Sequence, residues 1–322
     1  MNILVTGSTG LTGSEAVDYF RGHDHFVVGI DNDGRSKALG TPSKIPEVNI
    51  DITDQPAVEQ LFKNFDFDCV IHTAAQSSHN VWENSPIKDF DVNARGTIIL
   101  LEELRKDKGE KGIFVYTSSD KVYATNMTRS IYEESTRYDH HEPFSENISI
   151  DYGSHSLFGA SKLAADIYVQ EYGYWFGMYT VCFRLGCITG RRHEGSHYHG
   201  FLANLARCIK DEETFFLHGF GGKQVRDNIH SYDLVKAFDY FIRDPKIAAV
   251  YNMGGGPERS CSVLEAIEAI EKRTGKKAKI EHVDEYKADR IWDVHDVRKF
   301  RRDFPQWDYT YSLDDIFDDL CK

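Results

Sequence analysis

Three glycines spaced three apart, Gly7, Gly10 and Gly13 in TGSTGLTG (6–13), follow the apolar run NILVT and open an amphipathic stretch from Leu11 to Arg21. That spacing suits a bound phosphate. The first glycine permits a tight turn, the second lets backbone approach a pyrophosphate at the helix N-terminus around Leu11 and Thr12, and the third allows the helix to pack closely. Asp31, with Asn32 after it, ends the next apolar run, VVGID. A carboxylate there can accept the ribose hydroxyls of NAD and would repel the extra phosphate of NADP. The glycines alone would fit any ordinary β-α turn; together with Asp31 they predict NAD as cofactor.

Such a pocket needs a sheet to carry it. Short β-branched runs alternate with longer amphipathic stretches: NILVT (2–6), a helix over 11–21, FVVGI (26–30), EVNI (47–50), a helix with Asp54 as N-cap and Pro56 in its first turn, and DCVIHTA (68–74). A helix from Ser85-Pro86 to about Lys106 and the strand GIFVYTS (112–118) continue the pattern. This alternation predicts an α/β fold, a Rossmann-type doubly wound parallel sheet with helices on both faces. Residues 124–155 are polar, aperiodic and too long for an ordinary connection, which predicts a functional loop beside the sheet. A helix over 156–176 and the strand TVCFR follow. The remainder is mixed: a helix near 200–210, FFLHG, VRDNI, a helix over 232–243, VYNMG, and a helix over 262–273. The expected division is an NAD-binding domain over 1–184, completed by about 228–254. Residues 185–227 and 255–322 are expected to form a smaller interleaved C-terminal substrate lobe.

Further signals come in a fixed order: DITD (51–54), HTAAQ (72–76), DVNARGT (91–97), TSSDKVY (117–123) and SLFGASK (156–162). The series resembles the extended short-chain dehydrogenase/reductase family acting on nucleotide sugars, from Met1 to about Trp307. The resemblance implies Asp51 and Ile52 at the adenine, Ala74 and Ala75 along the cofactor, Asn93 bracing the sheet near the nicotinamide, and Ser119 and Lys162 at the reacting carbon. Taken without the series, Ala74 and Ala75 read as small core residues and Lys162 as a solvated lysine. GGKQVRDNIHSYDL (221–234) is similar to the segment that holds the sugar nucleotide in that family. It implies that Arg226 and Arg290 (in ADRIWDV) grip the diphosphate, with His79 and Gln224 also on the substrate side. Two forked guanidiniums match a diphosphate well. Either Arg→Ala change is then expected to weaken binding and spare folding. A local ion pair between Arg226 and Asp227 is the other reading. HTAAQSSH, FGASKLAADIYVQEYGYWFGM and GKQVRDNIHSYDL lie nearest the CDP-paratose (CDP-tyvelose) 2-epimerase group within the family.

The departure is Phe158, four residues before Lys162, where the family carries a tyrosine. In the family mechanism that phenol takes a hydroxyl proton while NAD oxidises the same carbon, and the lysine lowers the phenol's pKa. Phenylalanine has no hydroxyl. The lysine, the phosphate grips and the cofactor motif nevertheless remain, so the expectation is an active NAD-dependent epimerase whose proton relay has moved. Tyr152, His155 and Asp120 are the candidates for the substitute. A 4,6-dehydratase is the rival enzyme, because SSDKVY partly resembles the acidic strand end that elimination uses. Lys121 stands there in place of the second carboxylate and argues against it. A non-catalytic NAD-binding sensor is the rival outside enzymes.

Composition excludes other classes. With 38 Lys and Arg against 51 Asp and Glu, the net charge of −13 opposes binding to nucleic-acid backbones. The chain begins in a strand-like run and holds no apolar run of eighteen residues, so neither a secretory signal nor a membrane span is expected. Six cysteines without a C-x-x-C pair predict reduced thiols in a cytoplasmic protein. His140-His141 and His193/His197/His199 lack a helix-spaced His/Glu partner, so no metal is expected. The resemblance also implies a homodimer, paired through the helices over 86–106 and 156–176. On the second of these, Leu163, Ile167, Tyr168, Tyr172 and Trp175 could supply the buried face.

Overall fold

The computed structural model describes residues 1–34, 48–76, 85–124, 131–193, 200–284 and 289–322. In chain order it gives β1 (Asn2–Thr6), α1 (Leu11–Arg21), β2 (Phe26–Asp31), β3 (Val48–Asn49), α2 (Gln55–Asn64), β4 (Cys69–His72), α3 (Pro86–Phe90), α4 (Gly96–Lys108) and β5 (Ile113–Thr117). A short hairpin, β6 (Tyr132–Glu133) and β7 (Tyr138–Asp139), precedes α5 (Ser156–Phe176) and β8 (Tyr179–Leu185). Then come β9 (Cys187–Thr189), α6 (Phe201–Asp211), β10 (Thr214–His218), β11 (Val225–His230), α7 (Ser231–Arg243) and β12 (Ala249–Met253). The chain closes with β13 (Ser260–Ser262), α8 (Val263–Thr274), β14 (Lys279–Val283), β15 (Trp292–Asp293), α9 (Arg298–Asp303) and α10 (Leu313–Cys321).

The main sheet has seven strands in the order β3-β2-β1-β4-β5-β8-β12, all parallel. Successive residues of β1 enter opposite cores. Ile3 and Val5 pack with Ala16, Phe20, Phe183 and Phe238, while Leu4 packs with Val58, Leu100 and Ala165. Both faces are therefore covered by helices, as the near-continuous apolar runs require. The expected caps form: Asp54 accepts from the Ala57 amide at 3.2 Å, and Ser85 accepts from the Lys88 amide at 3.2 Å. Strand order reverses between β1 and β4, the place where open parallel sheets bind ligands beyond their carboxyl ends.

The smaller lobe has its own core, in which α6, α8 and α10 bring together Leu205, Ile270 and Phe317. β10 pairs in parallel with β14, and β11 carries β13, β15 and β9. Residues 298–309, expected in the lobe, return to the main sheet instead. Phe300 and Phe304 lie one helical turn apart and join Trp307 in the cluster around Phe183. A second difference lies inside the helix expected over 86–106, where Asp91–Arg95 forms a π turn. No helix among the described residues is long and apolar enough to cross a membrane, and all six cysteines are free thiols.

Candidate active site

The glycine loop and the end of β4 touch. Gly7 has a φ of +69°, and a Cβ there would meet the Ala74 amide nitrogen at 2.7 Å. A Cβ on Gly13 would run into the Gly7 carbonyl oxygen. Gly10 is the extended N-cap of α1 with no side-chain hydrogen bond to the helix, so no side chain caps the turn that begins Leu11, Thr12 and Gly13. This is the cradle an anion needs. Asp31 Oδ2 accepts from the Thr9 amide at 3.1 Å and its hydroxyl at 2.8 Å, and Oδ1 accepts from the Asp33 amide at 2.8 Å. Nearby, the Asn32 amide donates to Asp51 Oδ2 at 2.8 Å, and both Thr53 N–H and O–H donate to Asp51 Oδ1. Burial would raise the Asp51 carboxyl, but these hydrogen bonds hold it below its ordinary value. Ile52 fills the space that a Cβ on Gly96 would enter. The loop, the uncapped helix end and the acidic strand end fit NAD; Gly7, Gly10, Gly13 and Asp31 would hold it.

Asn93, on the π turn, ties three elements together. Its Oδ1 accepts from the Gln76 amide at 2.8 Å, and its Nδ2 donates to Gln76 O at 3.0 Å and to Ser161 Oγ at 2.9 Å. Ser161 donates in turn to Phe158 O at 2.7 Å. A π turn commonly marks a functional site because it re-aims one side chain; here it fixes α5 against the end of β4. Lys162, one turn beyond the buried Phe158, crosses to β5 and donates to Thr117 O at 2.6 Å. Its Nζ lies 4.3 Å from the centre of the Tyr116 ring. His72, between Thr6 and Thr97 hydroxyls at 2.7 and 2.9 Å, is pushed down to about 3 by burial and by Lys162, so it is neutral.

Beyond β5 lies a buried charge network. Ser119 Oγ donates to Asp120 Oδ1 at 3.0 Å, and Asp120 Oδ2 takes Arg290 at 3.1 Å and Lys121 at 3.2 Å. Arg290 also bonds Asp293 at 3.0 Å and the carbonyls of Asp120 and Tyr123 at 3.0 and 2.6 Å. His295 donates from Nδ1 to Asp227 at 2.9 Å; burial opposes its charge, but Asp227 and Asp293 raise it to about 9. Asp120, Asp293 and His295 bring ligand atoms within 4.8 Å of one another. The carboxylates are already neutralised by Arg290 and Lys121, so this is an ion-pair network. Arg226 pairs with Asp289 and donates to Arg290 O. The reading of Arg226-Asp227 as a local ion pair is thereby overturned: neighbours on a strand point to opposite faces, and Asp227 belongs to His295.

Sequence reasoning thus named residues that the fold gathers, in two groups. Ser119, Asp120, Arg226 and Arg290 lie beyond β5 and Lys162 reaches the end of that strand, while Gly7, Asp31, Ala74 and Asn93 gather at the ends of β1, β2 and β4. Ala75 is half-buried beside Ala74. Gln224 donates to His218 O at 2.9 Å and ties β11 to β10. His155 is the N-cap of α5, and Tyr152 is 82% exposed. His79 lies outside the described residues. Reasoning from sequence missed Asp293, His295 and Thr117. Alternation in IWDVHD points Asp293 and His295 to one face, but nothing in sequence identifies that face with the end of β5.

Comparison with known proteins agrees with this geometry. The family model described as "NAD dependent epimerase/dehydratase family" matches residues 3–254. A CDP-paratose 2-epimerase of Salmonella typhi is 30% identical over 84% of this chain and 84% of its own. A UDP-glucuronate 4-epimerase of Thermodesulfobacterium geofontis is 26% identical over 97% and 92%. A UDP-glucose 4-epimerase of Thermotoga maritima, solved with UDP-glucose, superposes with a TM-score of 0.83 at 24% identity, covering 98% and 96%.

Proposed function

Because the chain belongs to the NAD-dependent epimerase/dehydratase family, we propose that it is a nucleotide-sugar epimerase acting by transient oxidation to a keto-sugar. When bound, NAD would supply the reversible oxidation at one carbon. The chain's own residues would do the rest: Gly7, Gly10, Gly13 and Asp31 would hold the dinucleotide, Asn93 and Ser161 would set α5, and Arg226 would grip the diphosphate, the Arg290 guanidinium being already bound to Asp120, Asp293 and the carbonyls of Asp120 and Tyr123.

One observation carries epimerisation over elimination. A 4,6-dehydratase needs a carboxylate base to remove a carbon-bound proton, and where that base is expected stands Lys121, whose ammonium is paired with Asp120 at 3.2 Å. A CDP-linked hexose is the first substrate to try, followed by UDP-, GDP- and dTDP-sugars.

The test is a thermal-shift panel of those sugars, with product stereochemistry read by NMR. We expect one nucleotide class to stabilise the protein and to be epimerised. Arg226→Ala should weaken its binding roughly tenfold to a hundredfold, since a charge-assisted bond is worth about 1.5–3 kcal/mol. Binding without turnover would favour the sensor reading, and a 4-keto-6-deoxy product the dehydratase.

The protein is further proposed to act as a homodimer. Ile167, Tyr168 and Trp175 on α5 are 43%, 49% and 78% exposed, and Ile87 and Phe90 on α3 are 74% and 52% exposed. Large apolar side chains exposed on two neighbouring helices are the kind of surface that meets a partner. Tyr172, expected in the same face, is instead buried with its hydroxyl on Glu102 at 2.5 Å. Light scattering should give a dimer at micromolar concentration, and Tyr168→Glu should give a folded monomer. A monomeric parent protein would remove the proposal.

A further inference from the structure

The groups able to replace a phenol at position 158 are mostly committed elsewhere. Burial would raise Asp120, but the Lys121 ammonium and the Arg290 guanidinium hold it well below the carboxylate range, which makes it a poor proton acceptor. Ser119 spends its proton on Asp120 at 3.0 Å and accepts from the Lys121 amide at 3.1 Å. Tyr152 is 82% exposed, and His295 is fully enclosed with its Nδ1 on Asp227.

Lys162 differs from all of these. It is 3% exposed and reaches the carboxyl end of β5, where ligands of such sheets bind. An ammonium offers three donors, and among the described residues Nζ has one hydrogen-bond acceptor, Thr117 O. The nearby carboxylate on the same helix, Asp166, is already occupied. It takes Arg184 through two bonds at 2.7 and 3.2 Å, Ser118 at 2.5 Å and Gln170 at 2.8 Å. His72 on β4 is neutral, and burial pushes the Cys182 thiol on β8 well up, so neither supplies a negative charge. A buried lysine with no free counterion favours its neutral amine. Burial accordingly outweighs Asp166 and brings Lys162 down to about 7.

We propose that Lys162, as the free amine at the end of β5, itself takes the proton that a tyrosine at position 158 would have taken. This rests on the epimerase reading. In the forward step the sugar hydroxyl gives its proton to Nζ, so the amine becomes an ammonium. The carbon is oxidised to a carbonyl, and its hydrogen leaves with two electrons to NAD+. The return step restores the hydroxyl proton from the ammonium and delivers the hydrogen to the other face.

Two measurements test this. The first follows the 13Cε resonance of Lys162 against pH in lysine-labelled protein, assigned with Lys162→Arg, as purified and after addition of NAD+. The expected midpoint is near neutrality, whereas surface lysines titrate near pH 10. The second compares Lys162→Arg with Lys162→Met. Arginine keeps a cation and its donors but cannot be deprotonated, so NAD retained by Lys162→Arg separates cofactor positioning from proton transfer. We expect Lys162→Arg to retain NAD yet lose roughly a hundredfold to ten-thousandfold in turnover, as Lys162→Met does. Wild-type turnover should rise with pH through the Lys162 midpoint. A midpoint near pH 10, or turnover by Lys162→Arg within severalfold of wild type, overturns the proposal. The titration needs no substrate: a neutral Lys162 in a protein that turns over no nucleotide sugar removes the epimerase reading, and a protonated Lys162 in an active enzyme removes the relay.

Discussion

Arg290→Ala is expected to cost the fold about 3–5 kcal/mol, the usual price of leaving buried charges without their partner. Arg290 is 4% exposed and joins Asp120 beyond β5 to Asp293 on β15. Its removal leaves those carboxylates with Lys121, at 3.2 and 3.5 Å, and with His295, whose Nε2 lies 4.0 Å from Asp293. The expectation that alanine here would spare folding is therefore revised, and it stands for Arg226 more than for Arg290. Denaturant unfolding measures the loss. Arg290→Lys should recover only part of it, because an ammonium cannot reproduce the fork that also reaches two carbonyls.

The pH dependence of that stability has a defined sign on each side. Asp120 has a depressed folded pKa, so its contribution is present above the unfolded value near pH 4 and fades as pH falls below it. Arg290→Ala should therefore approach wild type in acid. His295 is raised to about 9. Its contribution is full below about pH 6.5 and lost as pH rises through about 9. The network's contribution to wild-type stability should be greatest near pH 5–6, between the acid loss at Asp120 and the alkaline loss at His295. A wild-type–variant gap that stays constant on acidification would show that Asp120 does not depend on Arg290.

The second large effect is expected at Asp31. Asp31→Ala should be purified largely without NAD, read as NAD(H) released into the supernatant on heating, whereas wild type should release a near-stoichiometric amount. Each charge-assisted bond lost is worth about 1.5–3 kcal/mol, or roughly tenfold to a hundredfold in affinity. The carboxylate also anchors Thr9 through amide and hydroxyl, so alanine releases the glycine loop as well. Because it already accepts three hydrogen bonds from the chain, the ribose hydroxyls would share or displace one of them. A wild-type preference for NADP would overturn the argument from charge.

Much of this was legible in the chain because it depends on local periodicity. Glycines at 7, 10 and 13, an acid at the end of β2 and caps at Asp54 and Ser85 act over a few residues, and each formed the turn or helix start its chemistry dictates. The alternation of β-branched runs with amphipathic ones determined the parallel sheet. The π turn under Asn93 was not legible, since the helix before it, Pro86–Phe90, is too short for a one-residue slip in apolar spacing to show. Nor was the partner of each charge. Arg226 and Asp227 are neighbours in sequence, yet strand alternation sends one to Asp289 and the other to His295. Asp120 and Arg290 are 170 positions apart and meet only because the lobe folds back over β5. The same holds for Lys162. Sequence placed it on a helix, but only the packing of α5 on β5, with Asp166 turned to Arg184, decided that the lysine is buried without a counterion. Charge pairing and desolvation are properties of distance in space, and only the tertiary structure sets those distances.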